Sequence, residues 1–317
     1  GARALDQLDR LASSLAADVI HVHNAIGPAV LHWAATRAAV MTVQDHRCFC
    51  PGRGKLTQAG EPCDTAMSCD QCSPCFDDAA YGHAMIELTA RRLEAVCSMR
   101  RLTVLSGYMK RELVAVGVEA DRVIVLPPPV RGIEPAAEPS GSPCVLFAGR
   151  LVGAKGVDDA AQAWSRSGVS LPLVFAGSGP ERERLERQGF EVLGWVRHEG
   201  ISAVYRRARA LLLPSRWQEP FGIVGLEALR LGVPVVAWDS GGVRQWHPAA
   251  ALGPSSGASE LGSRCPAGAL VPWGDVEGLA RALAEVVRRQ PAGSADLRCP
   301  DLRRPSSSES LLSWYGD

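Results

Sequence analysis

The stretch ALLLPSRWQEPFGIVGLEALRLGVPVVAWDSGGV, residues 210–243, decides the fold of this chain. It opens with an apolar run that Pro214 ends, which predicts a buried parallel strand. Apolar residues then recur at helical spacing over 221–231, and Gly232 predicts the end of that helix. Residues 233–238 predict the next strand. A strand, turn, helix and strand in this order is typical of an α/β sheet, in which ligands bind at the carboxyl ends of the strands.

Two glutamates in this stretch have positions suited to ligand binding. Glu219 lies in the turn after the first strand, and Glu227 lies eight positions later, within the helix. A helix that begins near Phe221 and Gly222 presents free backbone N–H groups and a positive dipole end, which favour phosphate. From there the Glu227 carboxylate would accept hydrogen bonds from two ribose hydroxyls, and Glu219 would reach a group beyond the phosphates. The alternative is one exposed glutamate and one helix-capping glutamate, without a ligand.

The whole stretch, rather than the glutamate pair, resembles a known family. EPFG at 219–222, Glu227-Ala228 and GVPVV at 232–236 resemble the E-x7-E motif of retaining glycosyltransferases with the GT-B fold, and most closely that of their family 4. DSGGV at 239–243 is similar to the glycine-rich turn that follows the motif there. The resemblance covers most of the chain. It implies an α/β, GT-B architecture of two Rossmann-like, doubly wound domains facing a cleft, with a nucleotide sugar held by the second.

A second motif supplies positive charge. Residues 144–148 predict a strand, and GRLVGAKG at 149–156 follows as a glycine-bearing loop that contains Arg150 and Lys155. Such a loop before a helix suits a phosphate group, although solvated loop charges are the alternative. The loop resembles the family's G-R-L-x3-K-G motif, whose Arg and Lys clamp the donor diphosphate. The resemblance thus implies Arg150, Lys155 and Glu219 as the catalytic residues.

The resemblance also implies a set of donor-binding residues. The turn GSGP at 177–180 would let the backbone approach the ligand closely, although glycines also serve simple tight turns. Glu227 would hold the ribose, and Glu219 would orient the donor sugar. The full donor-binding set is Gly177, Gly179, Pro220, Phe221, Gly222, Ile223 and Glu227.

Three side chains of the first half are candidates for lining the same cleft. The run DVIHVH at 18–23 predicts a buried strand and resembles one in the family's first domain. His21 and His23 share a face of this strand, so His23 either lines the cleft or packs in the core with satisfied ring nitrogens. Gln44 stands where family members often carry a histidine near the donor sugar, and His46 follows two residues later. Glutamine can hydrogen-bond a sugar hydroxyl, but it cannot act as a general acid or base.

Cysteines are concentrated in one segment. The chain contains ten, and six of them lie within 48–76. This distribution favours a local metal or redox site over a disulfide framework. The segment resembles a cysteine-rich insertion that a subset of family 4 carries. A tetrahedral structural zinc would suit four thiolates with a closing Cys-x2-Cys, namely Cys50, Cys63, Cys72 and Cys75. An iron–sulfur cluster and free reduced thiols are the alternatives.

Length and composition bound the organisation of the chain. Its 317 residues suffice for two domains, and we predict an incomplete first domain over 1–137, a second over 138–300 and a tail over 301–317 that begins a cross-over helix. The first half shows four strand patterns, where about six are usual for a doubly wound domain. With 34 basic and 34 acidic residues, no net charge favours nucleic acid.

The sequence offers no sign of insertion into a membrane. No apolar run reaches the ~18–20 residues that span a bilayer. No leader pattern opens the chain either. We therefore expect a cytoplasmic protein, with peripheral membrane association left open.

The resemblance implies a retaining hexosyltransferase. The resemblance implies transfer of a sugar from a nucleotide-sugar donor to a saccharide, lipid-linked or small-molecule acceptor in polysaccharide or glycoconjugate biosynthesis, with no cofactor required for the chemistry. A sugar-nucleotide epimerase on the same architecture is one alternative. A non-catalytic nucleotide-sugar-binding protein is another, and Gln44 and the short first domain favour it. A dinucleotide oxidoreductase is poorly supported, because no G-x-G-x-x-G opens a helix with an acidic partner about 20 residues later.

Overall fold

The computed structural model describes residues 2–130, 141–252 and 268–289. These residues form two compact units, which meet in the sequence between Pro127 and Pro128. Each unit is an α/β arrangement with a parallel sheet of its own. The domain boundary that we predict at residue 137 and the predicted tail over 301–317 lie outside the described residues.

The first unit is built on four parallel strands in the order β1-β2-β3-β4. Its core joins the two central strands to apolar residues of three helices, α2, α4 and α5. The strands are β1 (His21–His23), β2 (Val40–Val43), β3 (Arg101–Val104) and β4 (Val123–Val125), and the helices are α1 (Ala2–Ser14), α2 (Pro28–Ala35), α3 (Cys69–Cys72), α4 (Ala79–Cys97) and α5 (Gly107–Ala115).

The first strand of this unit differs from the sequence expectation. We predict a buried strand from Asp18, but Asp18 and Val19 are exposed and the strand begins only at His21. In the part of the chain that the structure describes, β1 pairs with β2 alone and forms an edge of the sheet. An edge strand lacks one neighbour, so its backbone and side chains stay partly open to solvent.

The second unit contains six parallel strands in the order β7-β6-β5-β8-β9-β10. Relative to chain order this is 3-2-1-4-5-6, the order of a Rossmann sheet, whose winding reverses between β5 and β8. The strands are β5 (Cys144–Ala148), β6 (Leu173–Ala176), β7 (Glu191–Gly194), β8 (Ala208–Leu213), β9 (Val235–Trp238) and β10 (Gly268–Val271). The helices are α6 (Val157–Ser167), α7 (Arg182–Arg187), α8 (His198–Arg207), α9 (Ile223–Arg230), α10 (Val243–Trp246) and α11 (Val276–Arg289).

The core of the second unit follows from its apolar strands. Every residue of β5, β6, β9 and β10 is buried, as expected when helices cover both faces of a parallel sheet. Phe147, Phe175 and Trp238 from the sheet lie in one cluster with residues of α6 and α11. Within the described ranges, no helix of either unit is long and apolar enough to cross a lipid bilayer.

Candidate active site

The winding of the second sheet brings two predicted motifs together. Strands β5 and β8 are direct neighbours, with Phe147 opposite Leu212. The loop 149–156 leaves the carboxyl end of β5, and the turn 214–220 leaves the same end of β8. The strand order reverses between these two strands, and ligands of open α/β sheets bind at the carboxyl ends of the strands at such a point. The predicted cations and Glu219 therefore share one end of the sheet.

Backbone contacts hold these two loops against each other. The N–H groups of Arg216 and Trp217 donate to the carbonyl of Ala154, at 3.0 and 3.1 Å. Gly156 has a φ of +74°, and a Cβ atom there would lie 1.8 Å from the carbonyl oxygen of Pro214. Only glycine allows so close an approach. This contact fixes the position of Lys155 relative to the turn that carries Glu219.

A buried ion pair lies where the two loops meet. The ammonium of Lys155 donates to Glu219 Oε1 at 2.7 Å, and the hydroxyl of Ser215 donates to the same oxygen at 2.6 Å. Glu219 is only 4% exposed. Burial alone would raise its pKa, but the charge of Lys155 and hydrogen bonds from Lys155, Ser215 and Trp217 outweigh burial and lower the pKa below its usual range. Glu219 is therefore an anion at neutral pH.

Trp217 joins the same cluster and was missed by the sequence analysis. The Lys155 ammonium lies 4.5 Å from the centre of its indole ring, and the guanidinium carbon of Arg150 lies 5.7 Å from it. Arg150 itself is exposed at the end of β5, whereas Lys155 is half-buried. The sequence feature that could have identified Trp217 is an aromatic residue in the turn directly after a buried strand.

The predicted glycine turn after β6 packs closely on the loop after β5. A Cβ atom at Gly177 would lie 1.8 Å from the carbonyl oxygen of Gly149, and one at Gly179 would lie 2.2 Å from that of Leu151. The N–H of Leu151 donates to the carbonyl of Ser178 at 2.9 Å. Both glycines thus serve to hold the cation-bearing loop against its neighbour, a structural role that is compatible with ligand approach.

The helix α9 begins where the sequence predicts an anion-binding end. Its N-cap is Gly222 in the left-handed conformation, at φ +81° and ψ +50°, and no side chain caps it. Phe221 is buried, and its carbonyl accepts a hydrogen bond from the indole of Trp246 at 2.5 Å. Ile223 is the half-buried first residue of the helix. The dipole of this helix places partial positive charge near the turn that contains Glu219 and Pro220.

The structure places Glu227 in the second turn of α9. It is half-buried, and its Oε2 accepts a hydrogen bond from the hydroxyl of Tyr205 on α8 at 3.0 Å. Burial raises the pKa of Glu227, partly offset by the Tyr205 hydrogen bond and the nearby charge of His198. Tyr205 is fully buried and also was not predicted, because it lies 22 positions away on another helix. It holds one oxygen of the carboxylate.

The predicted residues of the first unit fall into two environments. His21 and His23 stack with ring centroids 4.1 Å apart, and His21 Nε2 lies 2.8 Å from Thr42 Oγ1. Burial, and then the charge of His23, lower the pKa of His21. Gln44 is half-buried just after β2. His46 is only 2% exposed and contacts Tyr108, so its environment is that of a core histidine.

The predicted structural zinc is not supported by the structure. Within the described residues, no group of three or more His, Cys, Asp or Glu is arranged to hold a metal ion. Two of the four sulfurs contact protein groups instead, since Cys50 Sγ accepts from the N–H of Lys55 and Cys63 Sγ lies beside Thr65 Oγ1, both at 3.3 Å. Burial raises the pKa of Cys72 and Cys75, and the charges of nearby thiols raise it further, those of Cys50, Cys75 and Cys63 for Cys72 and those of Cys63 and Cys50 for Cys75.

An ion pair attaches the cysteine-rich segment to the rest of its unit. The ammonium of Lys55 lies 2.9 Å from Glu112 Oε2 on α5 and donates to the carbonyl of Thr65 at 2.7 Å. Lys55 is only 4% exposed. The described cysteines are free thiols. The segment is therefore held by buried polar contacts of the chain, a feature that spacing alone did not reveal.

Comparison with known proteins identifies relatives of the second unit. A family model described as glycosyl transferases group 1 matches residues 133–296, more than half of the chain. Alpha-D-kanosaminyltransferase from Streptomyces kanamyceticus is 36% identical over 114 residues, which cover 32% of this chain and 29% of that protein. The matched stretch thus spans less than a third of the length of this curated relative.

Solved structures resemble a larger part of the chain. Sucrose-phosphate synthase from Thermosynechococcus elongatus superposes with a TM-score of 0.60 at 17% identity, covering 90% of this chain and 68% of that one. HepE from Anabaena in complex with UDP superposes with a TM-score of 0.58 at 16% identity, covering 90% and 71%. These likenesses confirm the fold class that we predict, an α/β GT-B fold with two Rossmann-like domains.

Proposed function

We propose, from the premise that this chain belongs to the glycosyl transferases group 1 family, that it transfers a sugar from a nucleotide-sugar donor to an acceptor with retention of anomeric configuration. The observation that carries the proposal is the cluster at the switch point of the second sheet. There a buried Lys155–Glu219 pair, the guanidinium of Arg150 and the end of α9 lie on neighbouring loops. Positive groups of this kind suit a diphosphate.

The same groups would stabilise the leaving group of the reaction. When the bond from the anomeric carbon to the distal phosphate oxygen breaks, the electron pair remains on that oxygen and the negative charge of the diphosphate grows. Arg150, Lys155 and the N–H groups of α9 would stabilise this charge without moving, which is the efficient form of electrostatic catalysis. Glu227 would hold the ribose through the carboxylate oxygen that Tyr205 leaves available.

Retention is proposed to occur on one face of the sugar. The acceptor oxygen forms its bond to the anomeric carbon on the side from which the diphosphate leaves, and its proton passes to the departing phosphate oxygen. A covalent intermediate on Glu219 is disfavoured, because one oxygen of that carboxylate already accepts from Lys155 and Ser215. Glu219 would instead orient the donor sugar, as the resemblance implies.

The proposed donor is a sugar attached to a nucleoside diphosphate. Support comes from the solved complex of HepE with UDP. A saccharide, a lipid-linked sugar or a small molecule remains the proposed class of acceptor, since the curated relatives include alpha-D-kanosaminyltransferase and 2-deoxystreptamine N-acetyl-D-glucosaminyltransferase. No cofactor is proposed for the transfer step.

Calorimetric titration with UDP, GDP and ADP tests the donor site. We expect one diphosphate to bind near a Kd of 1 μM, about −8 kcal/mol, and Glu227→Ala to weaken that binding at least tenfold. Glu227→Ala should weaken binding of the matching 2′-deoxynucleotide less than binding of the ribonucleotide. The deoxynucleotide already lacks one of the two hydroxyls that Glu227 would hold. Glu277→Ala, which removes an exposed carboxylate of the same unit, is the control. A folded protein that binds none of the three nucleotides would refute the donor-site assignment.

Product analysis tests the transfer itself. Incubation with the sugar donor of the matching base and a panel of acceptors should give a product whose anomeric configuration, read by NMR, equals that of the donor. Glu219→Gln should lower the rate by about 100-fold or more, since orientation effects of this size are common. Tight donor binding without any product would favour the non-catalytic alternative, and an inverted product would contradict retention.

A further inference from the structure

Trp217 occupies a position that no motif assigns. It follows β8 by four residues, and its backbone N–H is held by the carbonyl of Ala154 in the neighbouring loop. The side chain is half-buried. The position of Trp217 is therefore determined through the backbone.

The ring of Trp217 is shared by two cations. The Lys155 ammonium lies 4.5 Å and the Arg150 guanidinium carbon 5.7 Å from the ring centre. Both distances fall within the range of about 6 Å in which the negative face of an indole attracts a cation. Indole is the strongest of the aromatic partners for such contacts.

Two cations in one partly buried site repel each other, and each gains by turning toward water. Glu219 neutralises Lys155 directly, at 2.7 Å. Within the described residues Arg150 forms no ion pair with a carboxylate, and the indole of Trp217 lies beside its guanidinium. Removing the ring would free the exposed Arg150 side chain to adopt rotamers that point away from Lys155, and it would leave Lys155 tied to Glu219 alone.

We propose that Trp217 is a positioning residue, whose indole holds Arg150 and Lys155 together at the spacing that a diphosphate requires. The proposal rests on the proposed function, because it takes the donor diphosphate as the ligand of these two cations. It goes further by attributing the affinity of the site for phosphate to an aromatic ring that lies beside both cations. The ring acts through the cations and does not need to contact the substrate.

The test compares two ligands that differ only in phosphate. UDP binding is measured by calorimetry and uridine binding by ligand-observed NMR, for the wild-type chain, Trp217→Leu and Trp217→Phe. If GDP or ADP proves to be the bound diphosphate, guanosine or adenosine replaces uridine. Trp217→Leu should lower the affinity for the diphosphate about tenfold and leave that for the nucleoside within twofold. Trp217→Phe, which keeps an aromatic face, should recover most of the loss.

Trp164→Leu is the matched control for lost packing. Trp164 is a half-buried tryptophan of the same unit whose indole donates to the Leu171 carbonyl and contacts Phe190. Trp164→Leu should leave the ratio of the affinity for the diphosphate to the affinity for the nucleoside unchanged. Equal weakening of both ligands by Trp217→Leu, or no weakening at all, would overturn the positioning role. If the folded wild-type chain binds no diphosphate, the proposed function fails, and the role of Trp217 fails with it.

Discussion

At the scale of single residues, His247 is a buried histidine of the second unit whose contacts depend on its protonation state. Its Nε2 lies 2.9 Å from the carbonyl oxygen of Val235, and its Nδ1 accepts from the N–H of Ala249 at 3.2 Å. This pair of contacts requires a neutral ring that donates through Nε2 and accepts through Nδ1. Burial lowers the pKa of His247 to about 4, although Val235 and Asp239 partly oppose it.

We predict that the second unit loses stability between pH 6.5 and pH 4. Above pH 6.5 the ring is neutral in both states, so its contribution is fully present. As pH falls, the unfolded chain binds a proton first, and the loss reaches about 3 kcal/mol once the folded ring also protonates. Urea denaturation across this range measures the effect, with His247→Gln as the comparison, because glutamine keeps a donor toward Val235 but does not titrate. Parallel pH profiles for the two proteins would contradict the prediction.

At the scale of elements, close contacts between loops organise the candidate site. Strand order alone brings the carboxyl ends of β5, β6 and β8 side by side. The loops after them then touch through backbone atoms, at Gly177 against Gly149 and at Gly156 against Pro214. A side chain at either glycine would push the loops apart, and with them the cations that the loop 149–156 carries.

Gly177→Ala should therefore damage both stability and binding. Its φ is +150° and its Cβ would lie 1.8 Å from the Gly149 oxygen, so backbone strain adds to overpacking and we expect a loss of about 3 kcal/mol or more. UDP affinity should fall as well, because Arg150 and Lys155 would shift. Gly189→Ala is the control, since that position has φ +89° but nothing within 4 Å of a Cβ. Gly189→Ala should lower the free energy of unfolding by about 1–2 kcal/mol, from strain alone, and leave UDP binding intact. An equal loss of stability in both variants would contradict the prediction that the close contact of Gly177 with Gly149 adds to the loss.

At the scale of the molecule, the described residues form two units with separate cores. One core joins β2 and β3 to helices α2, α4 and α5, and the other surrounds the six-stranded sheet. Every predicted donor-binding residue lies in the second unit. Domains with their own cores are expected to unfold as separate cooperative units.

We predict two calorimetric transitions, of which a nucleotide shifts one. UDP at 100 times its Kd should stabilise the second unit by about 2.7 kcal/mol and leave the first unchanged. Hydrogen-exchange mass spectrometry assigns the transitions, because peptides from β3 and from β8 report on different units. Leu102→Ala should lower the transition of the first unit and Leu212→Ala that of the second, since both leucines are core residues. A single transition that UDP shifts as a whole would refute the prediction.

The sequence by itself determined the strands and the helix around the two glutamates and the identity of the family. The strand patterns at 144–148, 210–213 and 233–238, the helix after Gly222 and the spacing of Glu219 and Glu227 are local features, and local periodicity and helix-ending residues specify them. The resemblance of the residues around Lys155 and Glu219 to known motifs placed the candidate site in this unit. Its assignment to donor binding stays a prediction until nucleotides are titrated.

Only the tertiary structure decided which side chains meet. Lys155 and Glu219 lie 64 positions apart, and Tyr205 reaches Glu227 from another helix, so no local pattern predicts these contacts. Trp217 belongs to none of the predicted motifs, and we propose its role from the two cations that lie beside its ring. The cysteine spacing favoured zinc, but thiols that are close in sequence also need a shared geometry to bind a metal, and within the described residues no such group is arranged to hold one. Sequence periodicity records which face of an element is buried, whereas the partner that covers each face depends on the sheet order of the whole unit.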